Sequence, residues 1–409
     1  MDKNYDIILA GSGLAGLTLA LELARRPFFQ EKKVLLIDRD AKEKNDRTWC
    51  FWASPDEPLP PVTHKTWSDC RFFGENFSRK LDISPYRYHM VRGLDFYRWA
   101  KSELSKAPHI QRVTANIQSI CPDTGTVCTD QGDFQAEQVF NSAFAPTPLL
   151  PKPSPLYPNP PLTQTANSKG QGAKGKQPTT TVHLLQHFKG WLIETPTPAF
   201  DPDVVTFMDY RLEQRGETRF VYVLPFSPTR ALVEFTVFSP ALCTAEEYDA
   251  QLRRYLHEFL KIKDFRIEEE EFGVIPMTDF PFQPMSEGRV THIGTVGGFV
   301  KASSGYAFKR TQRKLRAFAD AWERTGRPDP SVMRSAWRYR FFDSVMLRVL
   351  RNNTVSGSDF FTQLFQKLPA HEVFRFLDED ASLLQHARIA TAPPTWPFLK
   401  AAVRTLPKL

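Results

Sequence analysis

The residues with the most legible chemistry are Gly11, Gly13 and Gly16, spaced Gly-x-Gly-x-x-Gly, together with Asp38. Gly11 permits a tight turn, Gly13 leaves room for a pyrophosphate against the backbone, and Gly16 lets a helix pack close on a strand. The free N–H groups and positive dipole end of that helix suit phosphate. Asp38 can accept hydrogen bonds from a ribose diol, which favours FAD or NAD over NADP.

These residues need a strand, a helix and a second strand to hold them. Tyr5 to Ala10 is an apolar run of strand length, Leu17 to Leu23 is rich in leucine and alanine, and Val34 to Asp38 is a second apolar strand ending in the acid. A glycine-rich turn alone is weak; in this register it reads as a βαβ dinucleotide unit. A second joint lies far downstream, where Val290 to Ile293 runs into Gly294, Thr295, Gly297, Gly298 and Gly305. A long helix follows over 307–325, with Leu315, Phe318, Ala319 and Trp322 on one face and Gly326 as its stop. A glycine-rich strand-to-helix joint so far from the first closes a large FAD site, and NAD-dependent dehydrogenases do not need one. Many flavoproteins carry aspartate where Thr295 stands, so one charged contact is missing and looser flavin retention is expected.

The expected architecture is α/β. A discontinuous Rossmann-type FAD-binding domain of the glutathione-reductase/hydroxylase kind takes 1–45, 86–145 and 285–327. An antiparallel-sheet substrate domain takes 46–85 and 182–284, with strands read at 187–194, 204–211, 220–226 and 231–237. Residues 146–181 are proline-rich and then Lys/Gly-rich, without apolar periodicity, and read as a flexible insertion loop. Residues 328–409 read as a helical C-terminal cap; its cluster Phe360, Phe361, Leu364 and Phe365 is either cap core or a lipid-contacting surface. Trp49, Phe51 and Trp52 follow the second strand closely, as cleft lining or as a buried aromatic knot.

Composition narrows the class. The 409 residues are 41% hydrophobic, enough for a sizeable core, and no apolar run reaches the ~18 residues that span a bilayer. The start, Met1-Asp-Lys-Asn, carries no secretion signal, so a cytoplasmic location is expected. Five scattered cysteines without a CxxC pair indicate neither a disulfide framework nor zinc, and no metal is expected. Net charge is +7, concentrated in 301–351, where 13 Lys/Arg face 4 Asp/Glu. Such a segment suits an anionic surface or a solvated helix face; nucleic acid is not among the expected partners.

With the motifs placed, the chain resembles the lycopene cyclases, flavoproteins of carotenoid biosynthesis, over nearly all of its length. Gly11 to Asp38 is similar to the family's FAD motif. Arg47-Thr-Trp49-Cys-Phe51-Trp52 is similar to its HTWSFH stretch, with Arg47 for the first His and Trp52 for the last. Phe188-x-Gly190-Trp191 resembles the strand before the catalytic region, and Phe207-Met208-Asp209 resembles the MD element. Phe220 to Ser227 and Ala231 to Thr236 resemble the YxxPFS and FLEET stretches; Glu234 falls on the first FLEET glutamate, and Phe235 replaces the second. Ser304-Gly305-Tyr306 resembles the TGY of the second cofactor segment.

The resemblance implies a lycopene β-cyclase activity of intramolecular lyase or isomerase type. An acid protonates the terminal double bond of an acyclic ψ-end group, the cation is attacked by the neighbouring double bond, and proton loss leaves a β-ionone ring. It implies FAD in reduced form, with NAD(P)H serving only to reduce it. Glu234 is implied as the acid and Asp209 as an orienting group. Gly11, Gly13, Gly16, Asp38, Gly294, Thr295, Gly297 and Gly305 are implied at the cofactor, and Trp49, Trp52, Trp191 and Phe226 at the carotenoid. A lipid-soluble substrate implies a peripheral place on the inner face of the cytoplasmic membrane. A monooxygenase or prenyl-chain reductase of the same fold would instead consume NAD(P)H, and a non-catalytic carotenoid-binding protein would convert nothing.

Overall fold

The computed structural model describes residues 3–143, 181–282 and 286–405; the insertion expected at 146–181 falls outside them but for its last residue. Asn4–Ala10 runs parallel to Val34–Asp38 on one side and to Gly132–Asn141 on the other. Ile110–Thr114 and Val290–His292 extend this parallel sheet outward. Ile7 and Leu9 pack towards the helix Leu14–Ala24, while Tyr5, Ile8 and Ala10 pack on a second core beneath a β-meander. Strands buried on both faces need unbroken apolar runs, which Ile7 to Ala10 and Val34 to Ile37 supply. The helix itself is buried from Ala15 to Leu23. Beside it lies Phe308–Thr325, whose Phe318 and Trp322 rings sit 5.5 and 5.6 Å from Phe140.

The second layer is a seven-stranded sheet in the order Arg266–Thr278, His183–Glu194, Arg230–Ser239, Thr218–Ser227, Val204–Asp209, Asp69–Gly74, Phe77–Leu81. All its pairings are antiparallel except Val204–Asp209 with Asp69–Gly74. Alternate residues of Arg230–Ser239 go to different cores. Ala231, Val233, Phe235 and Val237 lie under the helix Ala245–Glu258. Leu232 and Phe238 face the C-terminal helices. A small sheet of Thr48–Ala53, Arg87–Arg92 and Lys65–Trp67 stands between the two layers in sequence.

Residues 337–405 form five helices, Trp337–Arg351, Gly357–Lys367, Ala370–Leu377, Leu383–Thr391 and Thr395–Thr405. Phe360, Phe361, Leu364 and Phe365 are buried in the core they share with the sheet, so this cluster is cap core and not a lipid-facing surface. The basic segment also turns inward. Lys301 is buried and bonds Asp343, which also accepts from Ser303 at 2.7 Å. Lys309 reaches Glu57 and Asp378 at 2.7 Å each. Arg310 pairs with Glu379, and Arg348 with Asp279 at 3.1 Å. Burial pushes the Lys314 ammonium down to about 7. Lys301, Lys309 and Arg310 of this segment therefore fasten the cap to the dinucleotide layer, and Arg348 fastens it near the substrate sheet. No helix of the described residues is long and apolar enough to cross a membrane.

Candidate active site

The glycine turn is a cradle held open. Gly11, at φ +107°, donates to Ile37 O at 2.7 Å. Asp38 accepts from Ser12 N–H at 2.5 Å and from Asp40 N–H at 2.8 Å, locking the turn onto the second strand. A Cβ on Gly16 would come within 1.8 Å of Gly11 O, whereas one on Gly13 would meet nothing within 4 Å. Gly16 is therefore glycine for packing, and Gly13 for the space beside it. The helix begins at that space with no side chain capping its N-terminus, so its N–H groups are left for a ligand. Ala15 on this helix lies against the second joint, where a Cβ on Gly294 would approach to 2.9 Å. These residues fit a dinucleotide pyrophosphate.

The acid lies on the seven-stranded sheet. Strand register aligns Tyr222, Glu234, Gly190 and Glu271 in one row across four strands. Directly paired residues share a face, so both carboxyls stand on the side away from the helix Ala245–Glu258. Thr236 donates to Glu234 Oε1 at 2.8 Å, and Thr48 donates to Glu271 Oε2 at 2.8 Å. Burial, and then the charge of Glu271, hold the Glu234 carboxyl well above the usual carboxylate range. Burial raises Glu271 too, while hydrogen bonds from Thr48 and Glu234 work against that rise. Burial thus disfavours charge on both carboxyls of the row.

Aromatic groups complete this face. Tyr222 and Tyr306 hydroxyls are 3.5 Å apart. Trp52 stacks on Phe374 at 4.4 Å and 15° and meets Tyr306 edge-on at 4.8 Å. A shallow cleft opens beside Glu271, bounded by Thr48, Met90, Leu232, Phe226 and Glu271, with Arg92, Arg230 and His64 at its polar side.

The sequence profile of the family described as "Lycopene cyclase protein" matches residues 6–403. The chain belongs to the lycopene cyclase family. Its similar relatives include the lycopene beta-cyclase of Paracoccus sp. (strain N81106 / MBIC 01143), 26% identical over 99% of this chain and 98% of that protein. Another is the lycopene beta-cyclase of Pseudescherichia vulneris, 24% identical over 97% and 96%. Among solved structures, a geranylgeranyl bacteriochlorophyll reductase-like protein of Thermoplasma acidophilum superposes with a TM-score of 0.59 at 13% identity, over 99% of this chain and 97% of that one. A flavin-dependent brominase superposes at 0.56 and 12%, over 99% and 100%. These likenesses show the fold, the mixed α/β fold expected of the chain.

Within this lycopene cyclase scaffold the expected site residues divide. Glu234, Trp52 and Phe226 come to the same side of the sheet as the cleft. Asp209 and Trp191 do not. Asp209 shares its row with Val221 and Phe235, on the helix side, where Tyr255 donates to it at 2.7 Å and Arg211 grips it. Trp191 pairs with Val233 and packs near Phe265 in the same far core. One residue's step along a strand reverses the face, and Trp191 is one step from Gly190. Trp49 packs among Phe96, Tyr97 and Phe308 in the dinucleotide layer. Thr295 is exposed, and a Cβ on Gly297 would come within 2.4 Å of His292 O. Gly305, at φ +74°, lies against Gln186 of the substrate sheet, where a Cβ would come within 2.0 Å of its Oε1. Glu271 was not anticipated. Its signal was present in Gly190, a gap in a strand of bulky residues opposite an acid.

Proposed function

We propose that this lycopene cyclase family member closes the acyclic ψ-end groups of lycopene, or of a related acyclic carotenoid, to β-ionone rings, with Glu234 as the acid. The observation that carries the reading is the placement of Glu234, a partly buried carboxyl in the FLEET-like stretch, in one row with Gly190 and a second carboxyl, Glu271; burial and that neighbour raise it above the usual carboxylate range. Protonating a carbon–carbon double bond needs a neutral acid in a site that excludes water, because water would trap the cation. Trp52, Tyr222 and Tyr306 supply apolar bulk and π-faces on that side of the sheet, and such faces attract a cation. The names of the relatives, and not the fold, favour lycopene as substrate.

Gly11, Gly13, Gly16, Asp38 and the joint at Gly294–Gly297 would hold FAD. Bound and reduced, it would supply negative charge to stabilise the ring-closing cation, with NAD(P)H needed only to reduce it. The reaction is then an internal rearrangement of lyase or isomerase type without net redox change. A membrane surface would deliver the substrate. Trp396, Leu399 and Val403 form an exposed apolar stripe on Thr395–Thr405, flanked by Lys400 and Arg404, and Leu383 and Leu384 are exposed on the preceding helix. This pattern suits a helix lying in a membrane interface, here on the inner face of the cytoplasmic membrane. Expression in lycopene-accumulating cells tests the reading: β-ring products are expected, with no stoichiometric NAD(P)H consumption by the purified protein. Hydroxylated or hydrogenated products would contradict it.

A further inference from the structure

We propose that Glu234 and Glu271 hold a single proton between them, with Glu234 as the donor and Glu271 as the positioning residue that accepts its hydrogen bond. The inference rests on the reading of Glu234 as the cyclisation acid and adds a second carboxyl to it. Gly190 lies between the two in the register, and its missing side chain makes their approach possible: a Cβ there would come within 3.0 Å of Glu271 Cγ and 3.2 Å of Glu271 Oε1. Glu271 is 9% exposed. Its Oε2 is taken by the Thr48 hydroxyl, but its Oε1, fully buried, has no donor among the described residues. The neighbouring carboxyl of Glu234 is also an acceptor, already engaged at Oε1 by Thr236. A proton on Glu234 supplies the missing donor and removes the second negative charge from the site. Two ionised carboxylates in one row of the sheet would repel each other.

The other groups around the pair leave this arrangement undisturbed. Burial keeps Cys50, Tyr88, Tyr222 and Tyr306 neutral by raising each of them, and keeps His64 neutral by lowering it. Arg92 pairs with Glu269 at 3.0 Å and Arg230 with Glu268 at 2.6 Å. During the reaction the proton leaves Glu234 for the terminal double bond. Both carboxylates are then charged while the carbocation exists, which stabilises it. After ring closure the cation returns one proton to Glu234, so the pair ends as it began and no oxidant or reductant is used.

The test follows the protonated carboxyl by infrared spectroscopy in the full-length, flavin-bound protein as pH is raised, alongside the pH profile of cyclisation. Wild type is expected to keep one protonated carboxyl band at neutral pH, and Glu234→Gln to lose it. Glu271→Gln removes the like charge, so the band and the alkaline limb of kcat/KM should both move down by about one pH unit or more. Glu271→Asp, which keeps the charge, should stay nearer to wild type. A rate loss in Glu271→Gln with both midpoints unmoved would overturn the pair, as would a wild-type protein with no protonated carboxyl at neutral pH. Absence of β-ring products from wild type would instead overturn the function reading.

Discussion

Asp209 is fully buried, and Arg211 and Tyr255 occupy both of its oxygens. Its position beneath the helix Ala245–Glu258 makes it a fastening for the helix side of the sheet. Asp209→Ala would strand the Arg211 charge and the Tyr255 hydroxyl. The expected cost is roughly 3 kcal/mol, the lower end for a broken buried pair because Arg211 keeps about a third of its side chain in water. Urea unfolding measures it, and the cyclisation rate per folded molecule should change little. A large rate loss at unchanged stability would return Asp209 to the acid machinery. Glu234 was legible in the sequence because it interrupts an apolar strand at the FLEET-like position. Glu271 was not, because it ends the run Glu268 to Glu271, which reads as a solvated face. Its inward direction depends on pairing with a strand some eighty residues away, which local pattern does not encode.

At the scale of elements, the turn between the first strand and its helix separates two reasons for being glycine. Gly13→Val adds a side chain to open space at an ordinary φ of −78°. The protein should fold with its stability intact and purify without bound flavin. Gly16→Val drives a Cβ into Gly11 O, so it should lower the yield of folded protein itself. Absorbance of the purified variants and their thermal unfolding distinguish the two effects; a yellow Gly13→Val would refute the cradle. This unit was readable in sequence because all of its parts are local: three glycines, an apolar helix and two apolar strands. The roles of the basic segment 301–351 were not. Lys301, Lys309 and Arg310 look like a surface patch until Asp343, Asp378 and Glu379 of the cap arrive against them.

Across the whole molecule, the acid pair stands on the face of the substrate sheet whose core is shared with the helical cap, and the cap presents an exposed apolar stripe. Replacing Trp396, Leu399 and Val403 together by Ser should leave folding intact, since all three are solvent-exposed. It should remove flotation of the flavin-bound protein with anionic vesicles, with wild type floating. Undiminished flotation of the triple variant would place the membrane contact elsewhere. The central claim is narrower and lies at Glu234. Gln at this position keeps the shape and hydrogen-bonding capacity but carries no titrating proton. The decisive measurement is the rate at which purified, flavin-loaded Glu234→Gln converts lycopene to β-ring product under reducing conditions, beside wild type. The account predicts a fall of at least ~10²-fold, the loss expected when a general acid is removed, with flavin content unchanged. A near wild-type rate would contradict it and require another proton donor.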